Sequence, residues 1–380
     1  MRLIIAGGGT GGHLFPGIAV AEEFLARGPE NEVLFVGTSR GIEARLLPKL
    51  GYRLALISAS GMKGLGTVRK LMSAGRLLYG YSQSRKILKE FRPDLVLGVG
   101  GYASAPLLLA ARGMGIRRFI HEQNAAPGLT NKILGRFVDG VFISMPESES
   151  FFPGKITQMT GNPIRKEILW GFHERVRSVG DNFSVLVFGG SAGAQAVNSA
   201  LMQALPHLEG VKQRLRITHQ TGEKDLERVR EGYRAKGFQA QVTGFIENMS
   251  AAYGAADLVI CRAGATTIAE VTACGKGCIF IPYPYAADDH QRKNAESLLK
   301  RDAGFMILEE DLTGETLAAE ILALMAHPER LAEVEHNARG MAQLDAAQAI
   351  VAAMVEKADL PSPSPSHKGR GAEISSSIDG

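Results

Sequence analysis

Two glycine-rich segments predict places where backbone N–H groups can hold a phosphate. Residues 7–12 follow a short apolar run over 3–6 and precede a helical pattern. Residues 189–194 follow a similar apolar run about half a chain later, again ahead of a helix. A strand, a glycine loop and a helix in this order place free N–H groups and the positive end of the helix dipole before an anion. The repetition predicts two similar lobes.

Two side chains are candidates for a general base. His13 follows the first glycine segment and precedes a helix that is expected to begin at Pro16. The positive end of a helix dipole disfavours imidazolium, and a neutral imidazole can accept a proton. Glu122 is the competing candidate: it ends a predicted strand and is expected beside the same ligand-binding cleft as His13. A histidine that only holds the loop by hydrogen bonds is the alternative for His13.

The first segment also fits the spacing of a dinucleotide site, with Gly7, Gly9 and Gly12 in a G-x-G-x-x-G pattern. Such sites place an acid at the end of the second strand, where it binds the ribose. That strand ends at residues 36–39 without an acid, and the nearest one, Glu43, lies several residues further on. No Walker-type lysine follows either glycine segment. The sequence therefore disfavours a nicotinamide or flavin enzyme and a P-loop hydrolase.

Polar residues suited to a nucleotide sugar gather in the second half of the chain. Glu270 lies about one turn into a helix predicted to start near Gly264, where its carboxylate could accept two ribose hydroxyls. An acid that only complements the helix dipole is the alternative. Residues 281–295 bring Asp, His, Gln and Asn ahead of another helix, as sugar recognition requires. Asp288 and Asp289 are adjacent, and no Asp-x-Asp pair suggests a metal site.

Strands that alternate with helices must position these residues. The first lobe is predicted to contain strands over residues 3–6, 32–37, 52–58, 94–101, 117–121 and 140–144, and the second lobe over 184–188, 214–220, 241–244, 258–261 and 277–282. This alternation predicts an α/β fold with parallel sheets, whose ligands bind at the carboxyl ends of the strands.

The length of 380 residues predicts two domains. We expect an N-terminal domain over 1–160 and a C-terminal domain over 161–344, because Gly and Asn-Pro in 160–165 mark a hinge. An alanine-rich helix over 345–357 is expected to pack back on the first domain. The Pro/Ser-rich residues near the end cannot build a core, so 358–380 are expected to form a disordered tail.

Composition excludes several classes of protein. A hydrophobic share of 45% and a charged share of 22% are typical of a globular protein. The net charge of +4 does not indicate binding to nucleic acid. The cysteines, Cys261, Cys274 and Cys278, form no Cys-x-x-Cys pair, which favours core residues in a reducing compartment. Without a signal peptide or a membrane span, the chain is expected to be cytosolic and to contact a membrane only from its surface.

Residues 61–92 carry eight basic side chains against one acid, Glu90, with apolar residues at helical spacing. A helix with a solvated basic face is one interpretation of this segment. The other is a peripheral patch that binds an anionic membrane surface, with apolar side chains entering the interface.

Eight short motifs occur in order along the chain. They are Gly-Gly-Thr-Gly-Gly-His, Gly-Gly-Tyr, His-Glu-Gln-Asn, Thr-Gly-Asn-Pro-Ile-Arg, Gly-Gly-Ser-x-Gly-Ala, Phe-Ile-x-x-Met, Arg-Ala-Gly-Ala-Thr-Thr and Asp-His-Gln-x-x-Asn-Ala. Through this set, residues 1–357 resemble the MurG family of bacterial peptidoglycan glycosyltransferases. The resemblance implies the GT-B fold, in which two Rossmann-like parallel-sheet domains face each other across a cleft.

The resemblance implies an inverting transfer of N-acetylglucosamine (GlcNAc) from UDP-GlcNAc to the 4-hydroxyl of N-acetylmuramoyl-pentapeptide on undecaprenyl diphosphate, which converts lipid I to lipid II. It implies no cofactor, no metal and a peripheral position on the cytoplasmic face of the cell membrane. The implied UDP-GlcNAc contacts are Thr10, Gly11, Gly12, Asn124, Arg165, Ser191, Ile246, Glu270 and Gln291, and Tyr102 lies on the acceptor side.

Within that set, uracil is expected at the backbone of Ile246, the ribose at Glu270 and the diphosphate at the Ser191 loop. Gln291 is expected to contact the sugar hydroxyls. Residues 267–269 read Thr-Ile-Ala where many family members carry Thr-Val-Ser, which puts contacts through these side chains in doubt.

Other functions remain open at this level. A related transferase that acts on diacylglycerol or another lipid would share the second lobe, although Tyr102 and the motif over 121–124 favour the peptidoglycan enzyme. A non-catalytic sensor would bind UDP-GlcNAc without transferring the sugar. A dehydrogenase is the third alternative, and binding of NADH would support it.

Overall fold

The computed structural model describes residues 1–39, 41–59, 67–173, 182–190 and 193–359, with side chains described except at 67–74, 76, 170–173 and 359. The expected tail lies outside these ranges, apart from residues 358 and 359, which end the last helix.

The first lobe is a seven-stranded sheet with helices on both of its faces. Its elements are β1 (Arg2–Ala6), α1 (Gly11–Ala26), β2 (Glu32–Gly37), α2 (Glu43–Lys49), β3 (Arg53–Leu56), α3 (Thr67–Phe91), β4 (Leu95–Gly98), α4 (Ser104–Gly113), β5 (Arg117–Glu122), α5 (Leu129–Leu134), β6 (Gly140–Ile143) and β7 (Thr157–Met159).

The second lobe is a six-stranded sheet of the same kind. Its elements are α6 (Lys166–His173), β8 (Phe183–Phe188), α7 (Gln195–Ala204), β9 (Leu215–Gln220), α8 (Leu226–Lys236), β10 (Ala240–Thr243), α9 (Met249–Ala255), β11 (Leu258–Cys261), α10 (Ala265–Ala273), β12 (Gly277–Phe280), α11 (His290–Leu299), β13 (Phe305–Met306), α12 (Gly314–Ala326) and α13 (Pro328–Gly340); α14 (Ala346–Asp359) follows. Short 3-10 helices span Gly135–Phe137, Pro146–Phe151, Leu205–Val211, Glu223–Asp225 and Ala287–Asp289.

Both sheets are parallel and have the same strand order around their first strand. The first runs β3-β2-β1-β4-β5-β6-β7 and the second β10-β9-β8-β11-β12-β13. In the first sheet Leu3 pairs with Val33 on one side and Leu95 on the other. Leu3 is fully buried, as expected for a central parallel strand covered on both faces. The predicted pair of Rossmann-like parallel-sheet domains is confirmed.

Three sequence-based boundaries were wrong. The first sheet does not close at 140–144, because β7 extends it, and β13 extends the second sheet. These strands have three and two residues, too few to give a periodic signal. Helix α1 begins at Gly11 rather than at Pro16, which lies inside the helix.

The chain crosses between the lobes at residues 160–165 and again before α14. Gly161 has φ of +81° and packs so closely on Gln343 that a Cβ at this position would overlap the Gln343 side chain. Helix α14 packs on α1, and Ile350 and Met354 are buried in the core of the first lobe. The domain limits at 160 and 344 remain predictions.

Candidate active site between the lobes

A cleft of about 2220 Å³ lies between the lobes, at the carboxyl ends of the strands of both sheets. Its walls include every described residue of the predicted site: Thr10, Gly11, Gly12, His13, Tyr102, Glu122, Asn124, Arg165, Ile246, Glu270 and Gln291. Ser191 lies outside the described residues. The fold thus brings the predicted residues into one cleft, and the role of each remains a prediction.

His13 lies in the first turn of α1, where Thr10 is the N-cap residue. Its Nδ1 is 3.2 Å from the hydroxyl oxygen of Thr10. A Cβ at Gly100 would come within 2.6 Å of the imidazole, so the ring packs against a bare backbone after β4. Burial lowers the pKa of His13 most, and the neighbouring His290 lowers it further. The imidazole is therefore neutral near pH 7.

The position of Pro16 inside α1 has a consequence in the cleft. Proline has no N–H, so the carbonyl of Gly12, four residues earlier, lacks its helical partner. The hydroxyl of Thr266, in the first turn of α10, donates to this carbonyl at 3.2 Å. Pro16 thereby leaves the Gly12 carbonyl of the first lobe available to accept a hydrogen bond from the second lobe.

Glu122 lines the same cleft, but its carboxylate is already occupied. Oε1 accepts the N–H of Asn124 at 2.9 Å and its side-chain amide at 3.1 Å. Oε2 accepts the N–H of Gly128 at 3.2 Å and the Asn131 amide at 2.9 Å. Burial raises the pKa of Glu122, and these four hydrogen bonds oppose that shift. A carboxylate has about four acceptor positions, so this one orders the loop that follows β5.

Asn294, on α11, joins that loop to the second lobe. Its Oδ1 accepts the N–H of Ala125 at 2.9 Å, and its Nδ2 donates to the Asn124 side chain and to the Ala263 carbonyl at 3.1 and 3.2 Å. Asn294 is fully buried. Asn294 is the Asn of the motif Asp-His-Gln-x-x-Asn-Ala, which was expected ahead of a helix as part of the sugar-recognition set; it lies inside α11 and contacts the loop after β5 instead.

Glu270 is buried on α10 and has two partners. Its Oε1 accepts from Arg165 at 3.3 Å, and its Oε2 accepts the Tyr253 hydroxyl at 3.1 Å. Burial raises the pKa of Glu270, and Arg165 opposes that shift. The Arg165 guanidinium lies 4.7 Å from the centre of the Phe15 ring, and its buried Nε has no hydrogen-bond partner among the described residues. A positive group thus stands between the lobes, beside the predicted ribose site.

Gln220 links the second glycine loop to the predicted uracil position. Its Nε2 donates to the Gly190 carbonyl at 2.9 Å, and its Oε1 accepts the N–H of Ile246 at 2.7 Å. Gly193, at φ of +76°, packs against the Thr221 carbonyl with no room for a Cβ. Sequence reasoning missed Gln220; its position at the carboxyl end of a strand was the available signal.

The remaining predicted residues lie at the rim of the cleft. Gln291, in the first turn of α11, accepts the N–H of Tyr283 at 3.0 Å. Tyr102 is exposed after the glycine turn that follows β4. Asp288 and Asp289 both have left-handed backbones, with φ of 55° and 56°. In the described part of the chain, no three His, Cys, Asp or Glu side chains converge as a metal site would require.

Two further findings concern the cysteines and the helices. The three cysteines are buried and free, as predicted. No helix in the described ranges combines the length and hydrophobicity needed to cross a bilayer.

Comparison with known proteins gives consistent results at three levels. Models of the glycosyltransferase family 28 N-terminal and C-terminal domains match residues 3–143 and 184–350. A UDP-N-acetylglucosamine--N-acetylmuramyl-(pentapeptide) pyrophosphoryl-undecaprenol N-acetylglucosamine transferase of Citrifermentans bemidjiense is 85% identical over 357 residues, 94% of this chain and 100% of that one. A protein of the same name from Geotalea uraniireducens is 66% identical over 359 residues, 94% of this chain and 98% of its own.

Among solved structures, MurG of Acinetobacter baumannii matches with a TM-score of 0.78 and 35% identity, over 93% of this chain and 99% of that one. A putative UDP-N-acetylglucosamine 2-epimerase of Listeria monocytogenes shares the fold at 15% identity, with a TM-score of 0.67 over 95% of this chain and 98% of its own.

Proposed function

Because the chain belongs to glycosyltransferase family 28, we propose that it transfers N-acetylglucosamine from UDP-GlcNAc to lipid I, at the 4-hydroxyl of the muramoyl-pentapeptide, and forms lipid II. The 85% identity to a relative of that name over 94% of the chain carries this conclusion. The cleft between the lobes, which is lined by Arg165, Glu270 and Gln291, is the proposed place for the reaction.

The donor is held mainly by the second lobe in this proposal. The glycine loop over 189–194 and the start of α7 bind the diphosphate, and Arg165 offsets its charge. Ile246 contacts uracil, Glu270 the ribose and Gln291 the sugar hydroxyls. As the glycosidic bond breaks, negative charge grows on the UDP oxygens, and fixed donors that point at these oxygens stabilise the leaving group.

The first lobe supplies the base, and His13 suits this role better than Glu122. Its imidazole is neutral and lines the cleft, and it has fewer partners than the Glu122 carboxylate: the Thr10 hydroxyl at Nδ1 and the Gly8 carbonyl. The Glu122 carboxylate would have to give up hydrogen bonds before it could accept a proton. We assign Glu122 to positioning Asn124 and its loop, and Tyr102 to the acceptor side.

The chain is further proposed to bind the cytoplasmic face of the membrane peripherally, through the basic surface of α3. Leu78 and Tyr79 are 72% and 61% exposed there, and the basic residues Arg85, Lys86 and Lys89 follow on the same helix. Apolar side chains next to positive charge suit the headgroup region of anionic lipids. Binding to anionic vesicles should weaken with salt, and equal binding to neutral vesicles at every salt concentration would contradict this proposal.

Transfer of radiolabelled sugar from UDP-GlcNAc to a soluble lipid I analogue tests the proposed function. We expect labelled product with and without a chelator. UDP-GlcNAc binding without transfer would instead support a sensor. Label in diacylglycerol but not in the lipid I analogue would identify a different acceptor.

A further inference from the structure

The carboxylate of Glu43 occupies the first glycine loop. Glu43 opens α2 and is only 1% exposed. Its Oε2 accepts the N–H of Gly9 at 2.7 Å. Its Oε1 accepts the N–H and the hydroxyl of Thr38, at 2.9 and 3.1 Å. The loop after β1 and the loop after β2 are thus joined by one buried acid.

Glycines form the walls around this carboxylate. A Cβ added at Gly8, Gly37 or Gly41 would overlap the Glu43 side chain. Gly8 and Gly41 on the two loops and Gly37 at the end of β2 therefore lack side chains where the carboxylate lies. Such a close fit indicates a built site for one anionic group.

A ligand phosphate would compete for the same backbone donor. In a dinucleotide fold, the N–H groups of the loop after the first strand hold a pyrophosphate, and an acid beyond the second strand binds the ribose. Here the acid beyond the second strand turns into the loop and takes the N–H of Gly9. The loop is consequently ordered by an anion of the protein itself.

We propose that Glu43 is a positioning residue for the transfer reaction: it replaces a ligand anion at the first glycine loop and thereby fixes Thr10 and His13 in the cleft. This inference rests on the proposed function. The G-x-G-x-x-G pattern of the first glycine loop would otherwise suggest a dinucleotide site. In this inference, the anion that the loop binds is the Glu43 carboxylate of the protein itself.

Glu43 also acts on His13 through its charge. The groups that influence the His13 imidazole are Glu43 from α2, His290 from α11, the Gly8 carbonyl and the Thr10 hydroxyl. His121, on β5, is close enough for His13 to affect its pKa. Glu43 raises the pKa of His13 against the larger effect of burial. Loss of the negative charge should therefore lower this pKa.

Replacement by glutamine isolates the charge, because Glu43→Gln keeps the volume of the side chain. Both carboxylate oxygens accept N–H groups, so the amide must turn its NH₂ toward one of these donors. We expect kcat to fall about 10- to 100-fold, since small displacements of catalytic groups have effects of this size. The donor KM should change little, and the acid limb of the pH–rate profile should move to lower pH.

Chemical rescue supplies a second readout. Glu43→Ala opens a cavity among Gly8, Gly37 and Gly41, which acetate can enter. Acetate should restore part of the lost rate, whereas acetamide, of the same shape without the charge, should not. Glu30→Gln, at an exposed acid beyond the far end of α1, is the matched control and should behave as wild type.

The outcomes separate this inference from the proposed function. A wild-type protein that transfers no GlcNAc contradicts the proposed function itself. An active wild type overturns the inference if Glu43→Gln keeps both its kcat and its pH profile, or if acetamide rescues Glu43→Ala as well as acetate does. Should both variants fail to fold, Glu43→Asp, which keeps the charge, must show an unshifted acid limb and a reduced kcat; wild-type kcat would overturn the inference.

Discussion

The two lobes use the same strand–loop–helix unit in different ways. At the first glycine loop, the Glu43 carboxylate accepts the N–H of Gly9. At the second, the neutral amide of Gln220 holds the Gly190 carbonyl, and no carboxylate of the protein is hydrogen-bonded to the described part of that loop. An internal anion orders the first loop. The described contacts of the second loop are with neutral groups: the Gln220 amide and the Gly193 N–H both donate to the Gly190 carbonyl.

We propose that this difference divides the reaction between the lobes. The first loop leads into His13, the proposed proton acceptor, which must be held in place. The second loop is proposed to bind the diphosphate, whose negative charge grows during the reaction. One supersecondary unit can thus serve either positioning or anion binding, and the residue opposite the loop decides which.

The largest expected effect is a loss of kcat after substitution in the first lobe. His13→Ala should lower kcat about 100- to 10,000-fold, because it removes the proposed general base, and should leave the donor KM nearly unchanged. Glu122→Gln, which loosens the loop after β5, should reduce kcat less and keep the acid limb of the pH–rate profile. Steady-state rates against pH measure both. If neither substitution lowers turnover at saturating substrates, the base is neither residue.

A smaller effect is expected in the second lobe, where substitution should change the donor KM more than kcat. Gln220→Leu removes the partner of the Ile246 N–H and one of the two donors to the Gly190 carbonyl, and an unsatisfied buried group costs about 1–3 kcal/mol. The donor KM should rise about 10-fold or more, with a smaller change in kcat. UDP titration by calorimetry provides a direct check. Unchanged UDP affinity would remove Gln220 from the donor site.

A third effect concerns the pH dependence of stability, in which the two lobes should respond alike. Each lobe buries a neutral histidine: burial lowers the pKa of His121 to about 4 and that of His219 to about 3. The unfolded chain takes up these protons below about pH 6.5 and the folded chain does not, so stability falls as the pH decreases from there. Each histidine should contribute about 2 kcal/mol of this loss at pH 5.

Urea unfolding at pH 7 and pH 5 measures this effect. His219→Gln should reduce the difference between the two pH values. A difference that is unchanged in the variant would show that another group is responsible.

The sequence predicted the fold well because its signals are local. Apolar runs followed by glycines identify β1 and β8, and strand–helix alternation predicts two parallel sheets. The start of α1 was wrong because proline was expected in the first turn. In the structure, Pro16 lies deeper in the helix, and Thr266 of the other lobe compensates for the carbonyl that it leaves free.

The described residues of the predicted site line one cleft, but several of their hydrogen-bond partners were not predicted. Glycine loops and polar motifs place the candidates at one sheet edge, and the cleft contains all those that the structure describes. Gln220, Asn294 and Glu43 act through contacts with residues 26 to 170 positions away or on another loop, which no local pattern reveals. In the sequence, Glu43 lies several residues beyond the second strand, and this distance argued against a dinucleotide site. Its contact with Gly9 is visible only in the structure.

A crystal structure with UDP-GlcNAc bound would test the division between the lobes most directly. Our account predicts the diphosphate at residues 189–194 and the start of α7, with Glu43 still bound to the N–H of Gly9. A diphosphate that lies on the first glycine loop and displaces the Glu43 carboxylate would contradict it.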